Sequence, residues 1–218
     1  MLPMADSTQK VPVHKMPAAQ RRTQIIQVAK NLFSQKGFVG TTTREIAKAA
    51  GVSEAIIFRH FATKEDLYAA IIDFIIQGYN QDLQAEMELA MKKKDDFRLF
   101  QTLALAILET HRKEPALLRL LLYSGLEGHK LSQLFMDTQV RPIYQTVSDY
   151  LSQRVKDKAI ARCDTMVLVR GFLGMVSHHS LIRVIYGDPF LQQSNEVMSK
   201  EFARVFLNGI LIRTSKKK

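Results

Sequence analysis

Between Thr42 and Phe61 two short helical patterns follow one another with a single glycine between them. Thr42-Thr43-Arg44-Glu45 has the form of a capping box, a hydroxyl residue followed three positions later by Glu. Ile46, Ala47 and Ala50 then recur at helical spacing, and the segment stops at Gly51-Val52. Ser53 can cap a second helix that ends near His60-Phe61. A helix-turn-helix needs this combination: two short helices crossing steeply, a tight turn with Gly, and apolar residues that lock the pair. Ile46, Ala47 and Ala50 can face Val52, Ile57 and Phe61, and the two alanines are small enough for close approach. That leaves Glu54, Ala55, Ile56, Phe58, Arg59 and His60 outside the packed face, where they form a recognition surface if the helix enters a major groove.

The flanking sequence is helical as well. A helix is expected from Pro17, with Ile25, Val28, Ala29, Leu32 and Phe33 on one face and Gly37 after its end. Thr63-Lys64-Glu65-Asp66 opens a fourth helix reaching roughly Met91, which would span about 40 Å at 1.5 Å per residue. Gly78 marks a candidate bend in it. After the polar break at 92–96, helices are expected over 97–112, 115–124, 131–155, 164–186 and 192–212. No segment shows sustained period-two alternation, so an all-α fold of about nine helices is expected. Its parts are an N-terminal three-helix domain carrying the helix-turn-helix and a larger C-terminal helical domain. The expected boundaries are a flexible arm (1–16), a DNA-binding domain (17–63), an effector-binding and dimerisation domain (64–213) and a basic tail (214–218).

Charge is divided unevenly along the chain. Residues 1–64 hold ten Lys/Arg against three Asp/Glu, whereas the other 154 residues hold 21 against 18. Lys216, Lys217 and Lys218 account for that second excess. A basic module on a neutral body points to a polyanion, of which nucleic acid is the commonest, although a solvated basic surface has the same composition. The apolar run from Ala69 to Ile76 is interrupted by Asp73 and falls short of a membrane span, so no membrane partner is expected. Residues 1–20 carry Pro3, Pro12 and Pro17 and no continuous apolar stretch, unlike a secretory signal. Cys163 is the single cysteine, which precludes an intramolecular disulfide and fits a reducing cytoplasm.

The residues of the bihelical segment and its borders resemble the TetR family of transcriptional regulators. The resemblance rests on Gly37-Phe38, Thr42 to Ala47, Ala50 to Ser53, Ile57 to Phe61 and Lys64 to Leu67, about 50 residues in register. It implies a role for each matching position. Thr42 and Thr43 open the second helix beside a phosphate, and Arg44 matches a position that in some members reaches a base edge. Arg bidentate to guanine is the commonest specific contact. Ser53 caps the recognition helix or touches DNA, or both, and Thr42 carries the same pair of readings. Glu54, Ala55 and Ile56 match the variable base-facing positions: Glu can accept from cytosine and Ile can touch a thymine methyl. Phe58 stands where the family usually has Tyr, so a hydroxyl contact to phosphate is lost; a half-buried core position is the alternative reading. His60 matches a backbone contact, and Lys64 matches a phosphate anchor at the start of the long helix. Ala55 stands where many members have Gly.

For the rest of the chain the resemblance implies a homodimer and a small-molecule effector of unknown identity. The interface candidates are Leu168, Gly171, Phe172, Gly174 and Met175 on one helix and Phe202, Val205 and Phe206 on the last. Phe74, Tyr79, Met87, Phe100, Leu103, His111, Leu118, Tyr123, Phe135 and Met136 are candidates to line an apolar pocket, though aromatic and Met residues at helical spacing equally build a core. His178-His179 point about 100° apart on a helix and no third ligand accompanies them, so neither a metal site nor a cofactor is expected. No phosphate loop, nucleophile elbow or metal-ligand spacing marks a catalytic site. The expectation is therefore a sequence-specific DNA-binding regulator, a repressor released by ligand from a palindromic double-stranded operator. The alternatives are a non-specific or activating DNA-binding protein, and a helix-turn-helix fused to an enzymatic module.

Overall fold

The computed structural model describes residues 16–77, 80–187 and 193–210, excluding the side chains of 76, 77 and 80–82. Gly78, Tyr79, most of the expected arm and the basic tail lie outside the described residues. Every regular element among them is helical, in the order α1 (Ala18–Lys36), α2 (Thr43–Ala50), α3 (Glu54–His60), α4 (Lys64–Gln77), α5 (Asn80–Lys92), α6 (Asp96–Lys113) and α7 (Pro115–Leu126). Next come α8 (Lys130–Phe135), a π-helical turn (Met136–Val140), α9 (Arg141–Lys156), α10 (Thr165–Leu181) with its own π-helical turn (Ile182–Tyr186), and α11 (Asn195–Ile210). The fold is all-α, as the periodicity implies. Two more segments occur than the nine expected, for identifiable reasons. The helix expected from Lys64 is described as α4 and α5 on either side of 78–79. The helix expected over 131–155 is divided by the first π turn, just before Pro142. Proline cannot donate to the carbonyl four residues back and its ring crowds that carbonyl, which a widened turn relieves.

Two apolar cores organise these helices. The first joins α1 to α4 with α7 and α8: Ile25, Phe33, Ile46, Ile57, Tyr68 and Leu120 are among its fully enclosed members. The side chains of Ile46, Ala47, Ala50, Ile57 and Phe61 are all buried there, so the expected locking face of the helix-turn-helix is the one observed. Full burial of such side chains contributes about 1.5–3 kcal/mol each. The short helices α2 and α3 thus owe their stability to packing as much as to their own ladders. The second core joins α5, α6, α9, α10 and α11. At its centre the rings of Phe100, Phe172 and Phe206 lie 4.7–5.0 Å apart. α6 packs against α5, α7, α10 and α11 and is the axis of this part. At its start Asp96 is buried, and its carboxylate accepts from Arg154 Nη2 at 2.9 Å and from Tyr150 Oη at 2.5 Å. Such pairing is what permits a carboxylate to be buried.

The helix ends follow the sequence closely. Thr42 Oγ1 accepts from the Glu45 amide at 3.2 Å, and the Glu45 carboxylate accepts from the Thr42 amide at 2.9 Å, completing the capping box. Thr63 and Asp66 exchange the same pair of bonds, each at 3.0 Å, to open α4. Gly51 closes α2 in the left-handed conformation, with φ 65° and ψ 35°. Ser53 is the residue before α3 but makes no capping bond with its side chain.

Candidate nucleic-acid interface and effector cavity

The surface that α3 leaves outside the core is the expected one. Ala55, Phe58 and Arg59 are exposed on it, Phe58 at 47%, which decides against its reading as a core residue. Ser53 is exposed and Ile56 half-buried. Arg44 and Lys48 on α2 are exposed, while Arg22 on α1 is exposed with its guanidinium 4.8 Å from the Phe61 ring. These cations share the helix-turn-helix module, as a phosphate-facing surface requires. Thr42 is exposed and Thr43 half-buried.

Three of the predicted contact residues are turned partly into the protein, two of them with internal hydrogen bonds. Glu54 Oε1 accepts from Thr43 Oγ1 at 3.0 Å, which ties the first turn of α3 to α2. His60 has its Nε2 buried without a hydrogen-bond partner. Lys64 Nζ donates to the Phe38 carbonyl at 2.5 Å and lies 4.1 Å from the Phe38 ring centre. Burial lowers the Lys64 pKa below the ordinary lysine value. Its ammonium thus braces the loop after α1. Beside it, the Lys36–Glu45 ion pair at 2.8 Å and the Thr42 amide hold the Glu45 carboxyl down to about 2.

No local sequence pattern points to what holds this module to the body. α7 runs alongside α1, and four contacts made by α7 and its two capping residues join it to α1, α4 and the loop after α1. Lys30 pairs with Glu114 at 2.8 Å, and Tyr68 Oη donates to the Leu120 carbonyl at 3.0 Å. Tyr123 Oη donates to the Gln35 carbonyl at 3.1 Å. The Glu127 carboxylate accepts from the amides of Phe38 and Val39, at 3.0 and 3.3 Å. Gly37 makes room for this last contact: its φ is 73°, and an added Cβ would collide with Glu127 Oε1 and Tyr123. These partners are more than 50 residues apart in sequence, beyond the reach of any local pattern.

A cavity of about 280 Å³ opens between α6, α7, α9 and α10, with Leu117 as the α7 residue in its wall. Of the predicted lining residues, Leu103, His111 and Phe135 border it. Met87 and Phe100 point into the second core instead, and Phe74 and Met136 are exposed. Tyr123 is committed to Gln35, Leu118 is half-buried away from the cavity wall, and Tyr79 lies outside the described residues. Helical spacing identifies an inward face but not which of two adjoining cores it meets. Missed wall residues include Ile107, Thr110, Tyr144 and Ser177. Among the predicted interface residues, Phe172 is buried in the second core, with Leu168, Met175, Phe202 and Phe206 half-buried against it. Gly171, Gly174 and Val205 are exposed. Among the described residues no group of His, Cys, Asp and Glu could hold a metal ion, and no helix is long and apolar enough to cross a membrane.

A glycine-hinged bihelical unit with an exposed basic recognition face defines a helix-turn-helix DNA-binding protein. Residues 25–71 match the family model for bacterial regulatory proteins of the TetR family. Over 84 residues the chain is 32% identical to the HTH-type transcriptional regulator HbdR of an Aromatoleum species, covering 38% of this chain and 37% of HbdR. It is 28% identical over 178 residues to the nucleoid occlusion factor SlmA of Vibrio cholerae, covering 77% of this chain and 85% of that one. The fold is shared with a TetR transcription regulator from Haloarcula marismortui, at a TM-score of 0.65 and 16% identity over 89% of this chain and all of the other. Residues 25–71 thus form a DNA-binding segment similar to that of the TetR family of bacterial regulators, within a fold shared with a TetR transcription regulator.

Proposed function

We propose that the chain works as a homodimeric repressor that a small molecule releases from its operator. The observation that carries this reading is the position of α7. One side of it is bonded to α1 and the following loop through Tyr123 and Glu127, while Leu117 on the same helix lines the cavity. A molecule that fills the cavity and fits a shifted α7 better would bias the helix-turn-helix away from operator spacing. Its effect is limited to its differential affinity for the two arrangements, and couplings of this kind are about 1–3 kcal/mol. The two recognition helices of a dimer would read half-sites about one turn, 34–36 Å, or a multiple apart. Thr42, Thr43 and Arg44 from α2, with Ser53, Ala55, Ile56 and Phe58 from α3, are the groups assigned to the DNA. Glu54, His60 and Lys64 serve as contacts or as braces for the others. The role is one of binding and release, with no chemical turnover of the effector.

Fluorescence anisotropy on the gene's own upstream DNA and on a scrambled duplex, across a salt series, tests this. A preference of at least about a thousandfold is expected, and it is lost in Arg44→Ala. Equal affinity for both duplexes with a steep salt slope alone would mean non-specific binding. Transcript levels in a deletion strain separate repression from activation. The length of the SlmA match favours a second reading, a nucleoid occlusion factor. That reading gains if deletion leaves the neighbouring transcripts unchanged and lets septa close over nucleoids.

A further inference from the structure

The walls of the cavity constrain what can occupy it. Ten of its sixteen lining residues are aliphatic or Phe, so the body of an occupant must be apolar. Among these described residues there is no Lys or Arg to neutralise an anion. The one carboxylate, Glu109, is already engaged: it accepts from Asn195 Nδ2 at 2.6 Å and from Arg112 at 2.7 Å. The lining residue with a ring nitrogen is His111, in the last turn of α6, where it also borders a smaller neighbouring cavity. Nδ1 of His111 is buried with no hydrogen-bond partner, an arrangement that a protein leaves rarely and at a cost in stability. A neutral imidazole presents one donor and one acceptor nitrogen, so a hydroxyl group, which can do either, satisfies it in both tautomers. Hydroxyl-bearing Thr110, Tyr144 and Ser177 border the same space.

We infer that the cavity takes an uncharged, predominantly aliphatic molecule carrying one hydroxyl-type group, and that this group pairs with the imidazole of His111. The inference rests on the proposed effector role for this cavity and specifies its ligand class. Burial lowers the His111 pKa to about 4, so near neutral pH the ring brings no positive charge to hold a carboxylate. A carboxylate would thus lose its hydration and gain no counter-charge, the condition under which a buried charge is excluded.

Isothermal titration calorimetry on the full-length protein, without DNA, with three matched probes tests the assignment. The probes are 1-decanol, 1-fluorodecane, whose fluorine is a poor hydrogen-bonding group of similar size, and decanoate near neutral pH. Decanol is expected to bind about tenfold more tightly than either, the worth of one net hydrogen bond. His111→Leu is expected to bind decanol and 1-fluorodecane alike, and His111→Gln to keep much of the preference. Thermal melting of both variants confirms that they are folded, and loss of a buried unpartnered nitrogen should leave the melting temperature of His111→Leu unchanged or higher. Decanoate binding as tightly as decanol, the same preference in His111→Leu as in the parent, or no binding of any probe each overturns the inference. Because no DNA is present, decanol binding that fails to release the operator counts against the proposed function alone.

Discussion

At His111 the same burial that shapes the cavity makes stability depend on pH. Desolvation lowers the folded-state value to about 4 from the ordinary 6.5. Between those limits the unfolded chain binds more protons than the folded one, so stability rises with pH. The contribution is complete above about pH 6.5 and is lost as pH falls toward about 4. Over a window of that width it amounts to about 3 kcal/mol. Urea unfolding at about pH 7.5 and about pH 5 should therefore show a difference that shrinks by about 1–2 kcal/mol in His111→Leu. Some slope should persist, since His179, lowered by burial and by Arg183, titrates in the same direction. A pH difference identical in the variant would mean that the imidazole is hydrated. Single residues were legible where their role is local. Thr42 with Glu45, and Gly51 in its left-handed turn, follow from neighbours within four positions. Lys64 was not, because the carbonyl that accepts from it is 26 residues away.

Element by element, the helices were legible and their neighbours were not. Periodicity and capping located α1, α2 and α3 almost to the residue, because helix ends are decided by the few side chains beside them. Nothing along α7 says that it lies on α1: Pro115 to Leu126 reads as an apolar helix, and its crossing contacts come from Glu114, Tyr123 and Glu127. The same gap explains the pocket residues, since Phe100 and Leu103 sit three positions apart yet one meets Phe172 and the other the cavity. The Glu127 contact lends itself to a double-mutant cycle. Glu127→Ala removes a carboxylate from two backbone amides and should cost about 1–2 kcal/mol in urea unfolding. Gly37→Ala adds a Cβ where φ is 73° and Glu127 already sits, so it should cost at least about 1 kcal/mol. Together the two should cost less than their sum, since each spoils the same contact. Additivity would show that Gly37 is required for its backbone alone. If α7 carries the ligand signal, Glu127→Ala also weakens the effect of any effector on operator affinity while leaving effector binding in place.

For the molecule as a whole, the exposed sides of α10 and α11 carry valines and glycines that the protomer's own core does not use. Val167, Val205 and Val197 are exposed at 62%, 59% and 49%, and Gly171 and Gly174 lie one turn apart between them on the α10 side. Among the described residues, an added Cβ at Gly171, Gly174 or Gly209 meets nothing within 4 Å. These glycines therefore serve no close approach to the described residues of the same chain, although each costs its helix about 1 kcal/mol relative to Ala. In the homodimer proposed above, a partner helix seated against them would supply the reason for their presence, and an isologous contact between two such helix pairs would bury the valines as well. Gly174→Arg separates the two explanations. Within the protomer the new side chain has room and improves helix propensity, so the thermal stability of the isolated fold should not fall. In the dimer it would be driven into the partner together with its symmetry mate. Sedimentation equilibrium should show dissociation of the variant at concentrations where the parent is dimeric. Its operator affinity should drop, because half-sites would then be bound one at a time. A Gly174→Arg protein that remains as dimeric as the parent would place the interface elsewhere on the body.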